Sequence, residues 1–137
     1  MEYRIRRTRD YHTLIVLNKK IFGEGFEVDF AKHICWVVKD ENNTPVGFCS
    51  YKKTTDDIVF LSRAGVLPEA RGAGLQVRMI RTRLKHARTE GYNCAITYTV
   101  RDNPASFTSL QRCGFKLYIP EYEWVGPEQL YWIHYLY

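Results

Sequence analysis

The stretch Val66-Leu-Pro-Glu-Ala-Arg-Gly-Ala-Gly-Leu-Gln76 lies between an apolar, β-rich run and a segment with helical periodicity. It therefore predicts a tight turn that opens directly into a helix. The first amides of a helix have no partner within the helix, and they point outward at the positive end of the helix dipole. Glycines such as Gly72 and Gly74 let the backbone approach a ligand closely. The stretch predicts a phosphate site, and Arg71 adds a fixed positive charge to it.

The segments on either side of this turn place it in a larger fold. Upstream, residues 34–39, 46–53 and 58–66 are β-rich runs separated by short polar turns, which is typical of an antiparallel meander. Downstream, apolar residues recur at steps of three and four along one face of a long helix, which Gly91 ends. These apolar residues are Val77, Ile80, Leu84 and Ala87.

The remaining segments complete an alternating order of elements. Asp10 and Asn103 stand where their side chains can cap the first amides of two further helices. In chain order, the other elements are a strand over 2–7, a helix from Asp10 to Gly23, a weaker helical turn over 28–33, a strand over 95–100, a helix over 103–113, and strands over 115–119 and 130–137. We expect an α/β or α+β layered domain, in which helices cross a mixed sheet.

Length and composition indicate one globular domain. The chain has 137 residues, of which 45% are hydrophobic, and it shows no internal repeat, low-complexity tract or Pro/Ser-rich linker. Its first residues are charged where a secretory signal needs an apolar run, and no stretch approaches the roughly 20 apolar residues that span a bilayer. We therefore expect a single domain over residues 1–137, soluble and cytoplasmic, without a membrane segment.

Charge and cysteine content narrow the classes of partner. A net charge of +5 and a pI near 9.1 suit an anionic partner, which includes a phosphate-bearing cofactor, a nucleic acid or an acidic protein surface. The four cysteines stand far apart in apolar or helical segments, unlike the paired spacing of zinc sites. We expect reduced, buried thiols and no metal.

Two glycines before a helix also occur in turns that bind nothing, so the wider pattern decides. The dinucleotide-binding fingerprint needs a third glycine, and a P-loop needs a Gly-Lys-Ser/Thr ending; neither is present. The stretch instead resembles motif A of the GCN5-related N-acetyltransferase (GNAT) family, Val-x-Pro-x-x-Arg-Gly-x-Gly followed by an amphipathic helix. The matching residues are Val66, Pro68, Arg71, Gly72 and Gly74. Gln76 departs from the family pattern, which has a small residue there.

A second segment is similar to motif B of the same family, an Asn-x-x-Ala/Ser helix that ends in Gly-Phe. Asn103-Pro-Ala-Ser106 and Cys113-Gly-Phe115 supply this motif at the expected distance from motif A. On these two motifs the sequence is identified as a member of the GNAT family over residues 2–137. The resemblance implies acetyl-CoA as cosubstrate, no metal, and a mixed, mostly antiparallel central sheet with a splayed strand pair and flanking helices.

The resemblance also implies where acetyl-CoA binds. The pantetheine arm lies between the two splayed strands, which are the strand ending at Val66 and the strand over 95–100, and it bonds free backbone groups. The Val66 amide is the implied donor to the oxyanion, and Arg112 lies near the adenosine phosphate. The implied cofactor-binding residues are Ala64, Val66, Arg71, Gly72, Ala73, Gly74, Leu75, Gln76, Asn103, Ser106 and Arg112.

The proton-transfer groups are not assigned by the sequence. Many family members place a tyrosine four residues before the glycine of Gly-Phe, where this chain has Leu110. The candidate replacements for this proton donor, which the sequence does not rank, are Ser106, Ser109, Tyr98 and Tyr118. No Asp or Glu lies between Asp57 and Glu69, so the strand carboxylate that some relatives use as a base is missing. The remaining candidates for general base, each also explained as an ordinary surface or structural group, are Glu121, Glu123, His134, His33 and His12.

Three functions are open at this point. The leading one is transfer of an acetyl group from acetyl-CoA to a primary amine of a small molecule, a peptide N-terminus or a lysine. The second is a CoA-binding sensor or interaction module without turnover. A nucleic-acid-binding domain is disfavoured, because no aromatics interleave with the basic stripe of the long helix, Arg78, Arg81, Lys85 and Arg88. The aromatic residues over 118–124 predict core packing, a wall of the acceptor pocket or a dimer contact, so we expect a monomer or homodimer.

Overall fold

The computed structural model describes residues 2–137 as one seven-stranded sheet with three packed helices. The strands are β1 (Arg4–Thr8), β2 (Ile34–Lys39), β3 (Pro45–Lys53), β4 (Ile58–Val66), β5 (Cys94–Val100), β6 (Lys116–Tyr118) and β7 (Gln129–Tyr135). The helices are α1 (Tyr11–Phe22), α2 (Leu75–Thr89) and α3 (Pro104–Arg112), with 3-10 turns at Phe30–Lys32 and Pro68–Ala70. Within the described residues, no helix has the length and apolar content needed to cross a membrane.

Local sequence explains where the helices begin. The Asp10 side chain accepts a hydrogen bond from the Thr13 amide at the start of α1, and Asn103 caps the Ser106 amide at the start of α3. The start of α2 differs, because its N-cap is Gly74 in the left-handed region at φ 72° and no side chain caps it. The first amides of α2 are therefore free of capping partners.

The sheet order is β1-β2-β3-β4-β5-β7-β6, and every neighbouring pair is antiparallel except β4 and β5, which are parallel. This arrangement confirms the predicted mixed, mostly antiparallel sheet with flanking helices. The strands predicted over 2–7 and 130–137 are each one residue shorter and shifted by one or two residues, as β1 and β7. Two further elements are about half as long as predicted. The helical turn predicted over 28–33 is a single 3-10 turn. The strand predicted over 115–119 is reduced to β6, because the Phe115 amide still bonds the Leu110 carbonyl at the end of α3.

Each face of the sheet carries its own core, because side chains alternate between the two faces of a strand. Trp36 and Val38 of β2 pack in the same cluster as Met79 of α2. Val37, between them, packs with Leu14 of α1. We call the two sides the α2 face and the α1 face. The α3 helix packs on the α2 face, so α1 is the only long helix on the other side within the described residues.

The sheet opens between its two central strands. β4 and β5 pair only over residues 58–60 and 94–96. Just beyond this pairing the Thr97 hydroxyl donates to the Leu61 carbonyl at 2.9 Å, and no ladder bond between the two strands follows. β4 also shifts its register against β3 between Ser50 and Tyr51, and such a bulge bends a strand. The splayed strand pair expected from the sequence is thus confirmed.

Candidate active site

A cleft of about 870 Å³ occupies the gap between β4 and β5. Its lining includes Phe22 of α1 as well as Ile80 of α2, which pack on opposite faces of the sheet. The cleft therefore passes through the sheet at the splay. The residues of the predicted site that it brings together are Ala64, Arg71, Gln76, Tyr98, Asn103, Ser106 and Ser109.

The edge of β4 that faces the cleft carries free backbone groups. Leu67 donates its amide to β3 at 2.7 Å. Because the backbone groups of successive residues in an antiparallel ladder alternate in direction, those of Val66 and Ala64, one and three residues earlier, point away from β3. On the β5 side, β4 has no ladder partner beyond residues 58–60. The amides and carbonyls of Ala64 and Val66 are therefore free to bond an extended ligand.

The turn between β4 and α2 has the backbone geometry of an anion site. Gly72 and Gly74 both lie in the left-handed region, at φ 78° and 72°, and a Cβ at either position would meet no atom within 4 Å. Ala73 between them is exposed, whereas Leu75 is buried and anchors the first turn of α2 in the core. Outward amides, open space above two glycines and the side chain of Arg71 fit the pyrophosphate of acetyl-CoA.

The α3 helix supplies the opposite wall of the cleft. The Oδ1 atom of Asn103 accepts from the Ser106 amide at 3.3 Å, which leaves the Asn103 amide nitrogen to donate to a ligand. Leu110 closes this wall with a buried apolar side chain, so no hydroxyl stands where many GNAT proteins carry a tyrosine. Arg112 is exposed in the last turn of α3 and outside the cleft lining, and its contact with the adenosine phosphate stays a prediction.

Arg83, which sequence reasoning missed, lies on the floor of the cleft. Its side chain is only 4% exposed. Nε donates to the Met79 carbonyl at 3.2 Å and Nη1 donates to the Ser50 carbonyl at 3.1 Å, and no carboxylate among residues 2–137 lies within ion-pair distance of it. Arg83 stands four residues after Met79 and three after Ile80, on the apolar stripe of α2. That position is the sequence signal that distinguishes it from the exposed basic stripe.

On the α1 face, a short chain of hydrogen bonds ends in the cleft. His33 Nδ1 lies 2.9 Å from Ser62 Oγ, which lies 2.7 Å from Ser50 Oγ. Ser62 lines the cleft. Desolvation by burial, with a contribution from Lys52, lowers the pKa of His33 below its ordinary value, so the ring is neutral at pH 7. In the tautomer that carries its proton on Nε2, His33 accepts the Ser62 proton and leaves a lone pair of Ser62 to the cleft.

Arg63 extends along the same face toward α1. Its guanidinium carbon lies 4.7 Å from the centroid of the Phe22 ring and 5.9 Å from that of Phe26. Its Nη1 atom is 3.4 Å from Asn18 Oδ1. Asn18 is buried and donates through Nδ2 to the Phe26 carbonyl at 2.9 Å. One buried amide therefore fixes both the loop after α1 and the position of Arg63.

Phe60, Tyr98 and Trp124 form an aromatic wall beside the cleft, and Tyr98 is the member of this wall that lines the cleft. The rings of Phe60 and Tyr98 stack at 6.0 Å, and Trp124 meets their edges at 5.2 and 5.6 Å. Ala95 packs on the α2 face, so Tyr98, three residues later, points to the α1 face. Trp124 thus packs against a residue of the cleft, although it does not line the cleft itself, and the role of the segment over 118–124 stays a prediction.

Several candidates for proton transfer lie outside the cleft. Tyr118, a predicted proton donor, lines a separate hollow of about 270 Å³ together with Glu123 and does not line the cleft. His134 Nδ1 is bonded to the Gly114 carbonyl at 3.0 Å. A general acid or base must come within hydrogen-bond or single-water reach of the reacting atoms. We therefore remove from the candidates Tyr118, Glu121, Glu123, His134 and the exposed His12.

The four cysteines are buried and unpaired, as the sequence predicts. Burial raises the pKa of Cys35 and of Cys49 to about 11, which leaves their thiols protonated and poorly nucleophilic at pH 7. Among residues 2–137, no group of three or more His, Cys, Asp or Glu side chains is placed to hold a metal ion. The side chains that face the cleft are therefore the ones from which a mechanism must be built.

Comparison with known proteins adds an independent finding. The sequence pattern of the Acetyltransferase (GNAT) family matches residues 6–115, which is most of the chain. This chain belongs to the GNAT family. No curated protein sequence matches it at a significant level. Family membership agrees with the resemblance carried by the two motifs and with the splayed sheet.

Solved GNAT structures share this fold at low sequence identity. An IAA acetyltransferase from Bacillus cereus ATCC 14579 has a TM-score of 0.81 at 14% identity, covering 98% of this chain and 99% of that one. The ribosomal-protein-S18-alanine N-acetyltransferase from Escherichia coli has 0.77 at 13%, covering 98% and 94%. A Bacillus anthracis protein provisionally named a streptothricin acetyltransferase, solved with acetyl coenzyme A, has 0.75 at 15%, covering 98% and 99%. Together with the family match, these structures support acetyl transfer from acetyl-CoA.

Proposed function

We propose that this GNAT protein transfers the acetyl group of acetyl-CoA to a primary amine by direct attack of the amine on the thioester. The observation that carries the proposal is that the turn at residues 72–74, with open space above both glycines, follows a strand whose edge toward β5 is unpaired beyond residue 60. Phosphates held at the turn and an arm bonded to Ala64 and Val66 fix the depth at which the thioester lies. Such fixed placement is a large part of the rate enhancement of a two-substrate reaction.

Ser62 and His33 form the proposed acceptor for the amine's proton, because an ammonium must lose a proton before its nitrogen can attack. The proton passes to Ser62 Oγ, and the Ser62 proton passes to His33 Nδ1 over the 2.9 Å bond. The lowered pKa of His33 keeps the ring neutral and ready to accept. His33 was one of several bases that the sequence left open, and it is the one that hydrogen-bonds to a cleft residue.

We assign two groups, one backbone amide and one arginine, to stabilise the negative charge that develops during transfer. The free amide of Val66 is the proposed donor to the carbonyl oxygen. Arg83 adds a fixed charge on the floor of the cleft, on the α2 face with Leu110. A buried cation stabilises a departing thiolate without donating a proton, so Arg83 offsets the lack of a tyrosine at position 110.

Two measurements on the wild-type protein test the proposal. Acetyl-CoA is expected to raise the melting temperature, and an unchanged melting temperature at millimolar acetyl-CoA would defeat any CoA-based function. Free CoA thiol is then followed across a panel of primary amines, with a reaction lacking amine as the control. Binding without thiol release from any amine would favour the CoA-binding sensor over the enzyme.

Two further expectations belong to the same proposal. A cytoplasmic location suits a protein that draws on the intracellular pool of acetyl-CoA, and cell fractionation checks it. A monomer or homodimer is expected, and light scattering of the purified protein distinguishes the two. Trp124 contacts the Tyr131 ring at 5.2 Å as well as the other two rings of the aromatic wall, so its packing is accounted for within one chain.

A further inference from the structure

The charges that line the cleft are all of one sign. Three arginines contribute to its lining, and no aspartate or glutamate among residues 2–137 does so. Arg71 belongs to the phosphate turn and Arg83 to the floor on the α2 face. Arg63 lies on the α1 face, against Phe22 and Asn18, whereas the groups proposed to bind acetyl-CoA lie in the turn, on the edge of β4 and on the α2 face. Its charge is therefore available to the other substrate.

Arg63 is contacted on two sides and has no counter-ion among residues 2–137. The Phe22 ring and Asn18 Oδ1 contact its guanidinium group, and no carboxylate of residues 2–137 forms an ion pair with it. Its contact with Asn18 is a long 3.4 Å, so most of its five N–H donors stay available. A guanidinium fixed by aromatic stacking is well suited to bind a carboxylate through two parallel hydrogen bonds.

Two further features of the α1 face stand beside Arg63. Ser62, its neighbour in the chain, is the proposed proton acceptor and marks where the reacting amine lies. The aromatic wall of Phe60, Tyr98 and Trp124 offers ring faces and edges to an apolar group. An anion anchor, a proton acceptor and an apolar wall thus surround one side of the splay.

Building on the proposed function, we infer that the acceptor is a small primary amine that carries a carboxylate and an aromatic side group, as an aromatic amino acid does. Its carboxylate pairs with Arg63, its ring lies on the aromatic wall, and its amine faces Ser62. The ammonium first loses one proton through Ser62 to His33; the neutral amine then attacks, the N–C bond forms, the C–S bond breaks and CoA leaves as its thiolate. The second proton lost by the nitrogen goes to the CoA sulfur through water, and the carboxylate is unchanged. Polyamines are excluded from this acceptor class, because a polycation finds no carboxylate in the cleft lining formed by residues 2–137.

The test compares amines that differ only in the carboxylate. CoA release is measured with L-phenylalanine against phenethylamine, with L-tryptophan against tryptamine, and with spermidine. For wild type, kcat/KM is expected to be about 10- to 100-fold higher for the member of each pair that has the carboxylate, the range for a charged hydrogen-bonded pair. Arg63→Gln is expected to bring this ratio close to one. Arg63→Lys keeps the charge but cannot form two parallel hydrogen bonds with a carboxylate, so it is expected to retain part of the preference.

Arg4→Gln, on the distant edge strand, is the matched control and is expected to keep the wild-type ratio. The rise in melting temperature caused by acetyl-CoA is measured for each variant, so that a variant that fails to fold is recognised. If Arg63→Gln fails to fold, the ratio of kcat/KM values measured for Arg63→Lys decides. Equal or better turnover of phenethylamine, tryptamine or spermidine would overturn the inference while the proposed function stands. Turnover of none of the five amines by a protein that binds acetyl-CoA would also overturn it. A protein that fails to bind acetyl-CoA would refute the proposed function itself.

Discussion

The two faces of the sheet meet at the splay, and they build their halves of the site in different ways. On the α2 face, the turn before α2 supplies backbone groups from one uninterrupted stretch of chain, and α2 and α3 form the two sides of the cleft. On the α1 face, the groups come from five separate segments and are all side chains: Phe22 with Phe26, His33, residues 60–63, Tyr98 and Trp124. A site made from contiguous backbone is visible in a sequence motif, whereas a site assembled from dispersed side chains is not.

The largest expected effect concerns the turn before α2, where the site is made of backbone groups. Gly74→Val is expected to abolish detectable binding of acetyl-CoA, because its side chain would occupy the open space above the turn. The left-handed backbone at this position also costs a branched residue about 1–2 kcal/mol. Gly91→Val is the control, since Gly91 lies at the other end of α2 with φ 90° and equally open space. It carries the same backbone strain and is expected to bind normally in a thermal-shift assay. If Gly74→Val also bound normally, the phosphate would have to lie elsewhere.

The next largest effect concerns the α1 face, where the site is made of side chains. His33→Gln is expected to lower kcat/KM on the order of 100-fold, the lower end of what a general base contributes. Because neutral His33 is the proton acceptor, wild-type kcat/KM should fall as the pH decreases through its pKa, which lies below 6.5. The glutamine variant should lose this limb of the pH profile and keep its acetyl-CoA shift in melting temperature. An unchanged profile in the variant would remove His33 from the mechanism.

A smaller effect tests the buried charge on the α2 face. Arg83→Met is expected to raise the pKa of the thiol of bound CoA by about one unit, roughly tenfold in thiolate stability. The measurement compares the pH dependence of CoA affinity with that of desulfo-CoA, which lacks the sulfur. Burial raises the pKa of Cys49 and of Cys113, which lie near Arg83, and the comparison with desulfo-CoA removes their contribution because it is common to both ligands. A thiol pKa that is equal in wild type and variant would show that Arg83 serves packing alone.

The smallest effect separates charge from backbone within the phosphate turn. Arg71→Ala is expected to weaken acetyl-CoA binding by only a few-fold, about 0.5–1 kcal/mol, because the amides at the start of α2 are retained and the exposed charge is screened. Titrations at 50 and 500 mM salt check this, since the difference between wild type and variant should shrink at high salt. A loss comparable to that of Gly74→Val would mean that the side chain, and not the backbone, dominates the turn.

Much of the fold could be predicted because its signals are local. Asp10 and Gly23 mark the two ends of α1, and the run over 58–66 coincides with β4. Motif A likewise lies within eleven residues of continuous chain. Ser62 and Arg63 carry no comparable signal, because their directions depend on the register shift between β3 and β4 and on the position of α1. The helical period of α2 places Arg83 on the buried face, but α2 contains several other basic residues, from which the sequence did not distinguish it.

The short pairing of β4 with β5 has a consequence for the free protein. The seam that joins the four-stranded half of the sheet to the three-stranded half consists of three residue pairs, one threonine bond and the bonds of the Asn93 and Cys94 amides to the Asp57 carbonyl. A cosubstrate that bonds the open edge of β4 completes this seam, so it acts as a removable part of the fold. Amide hydrogens near the splay should exchange with solvent more slowly as acetyl-CoA accumulates. The folded population then reports the cosubstrate concentration by mass action.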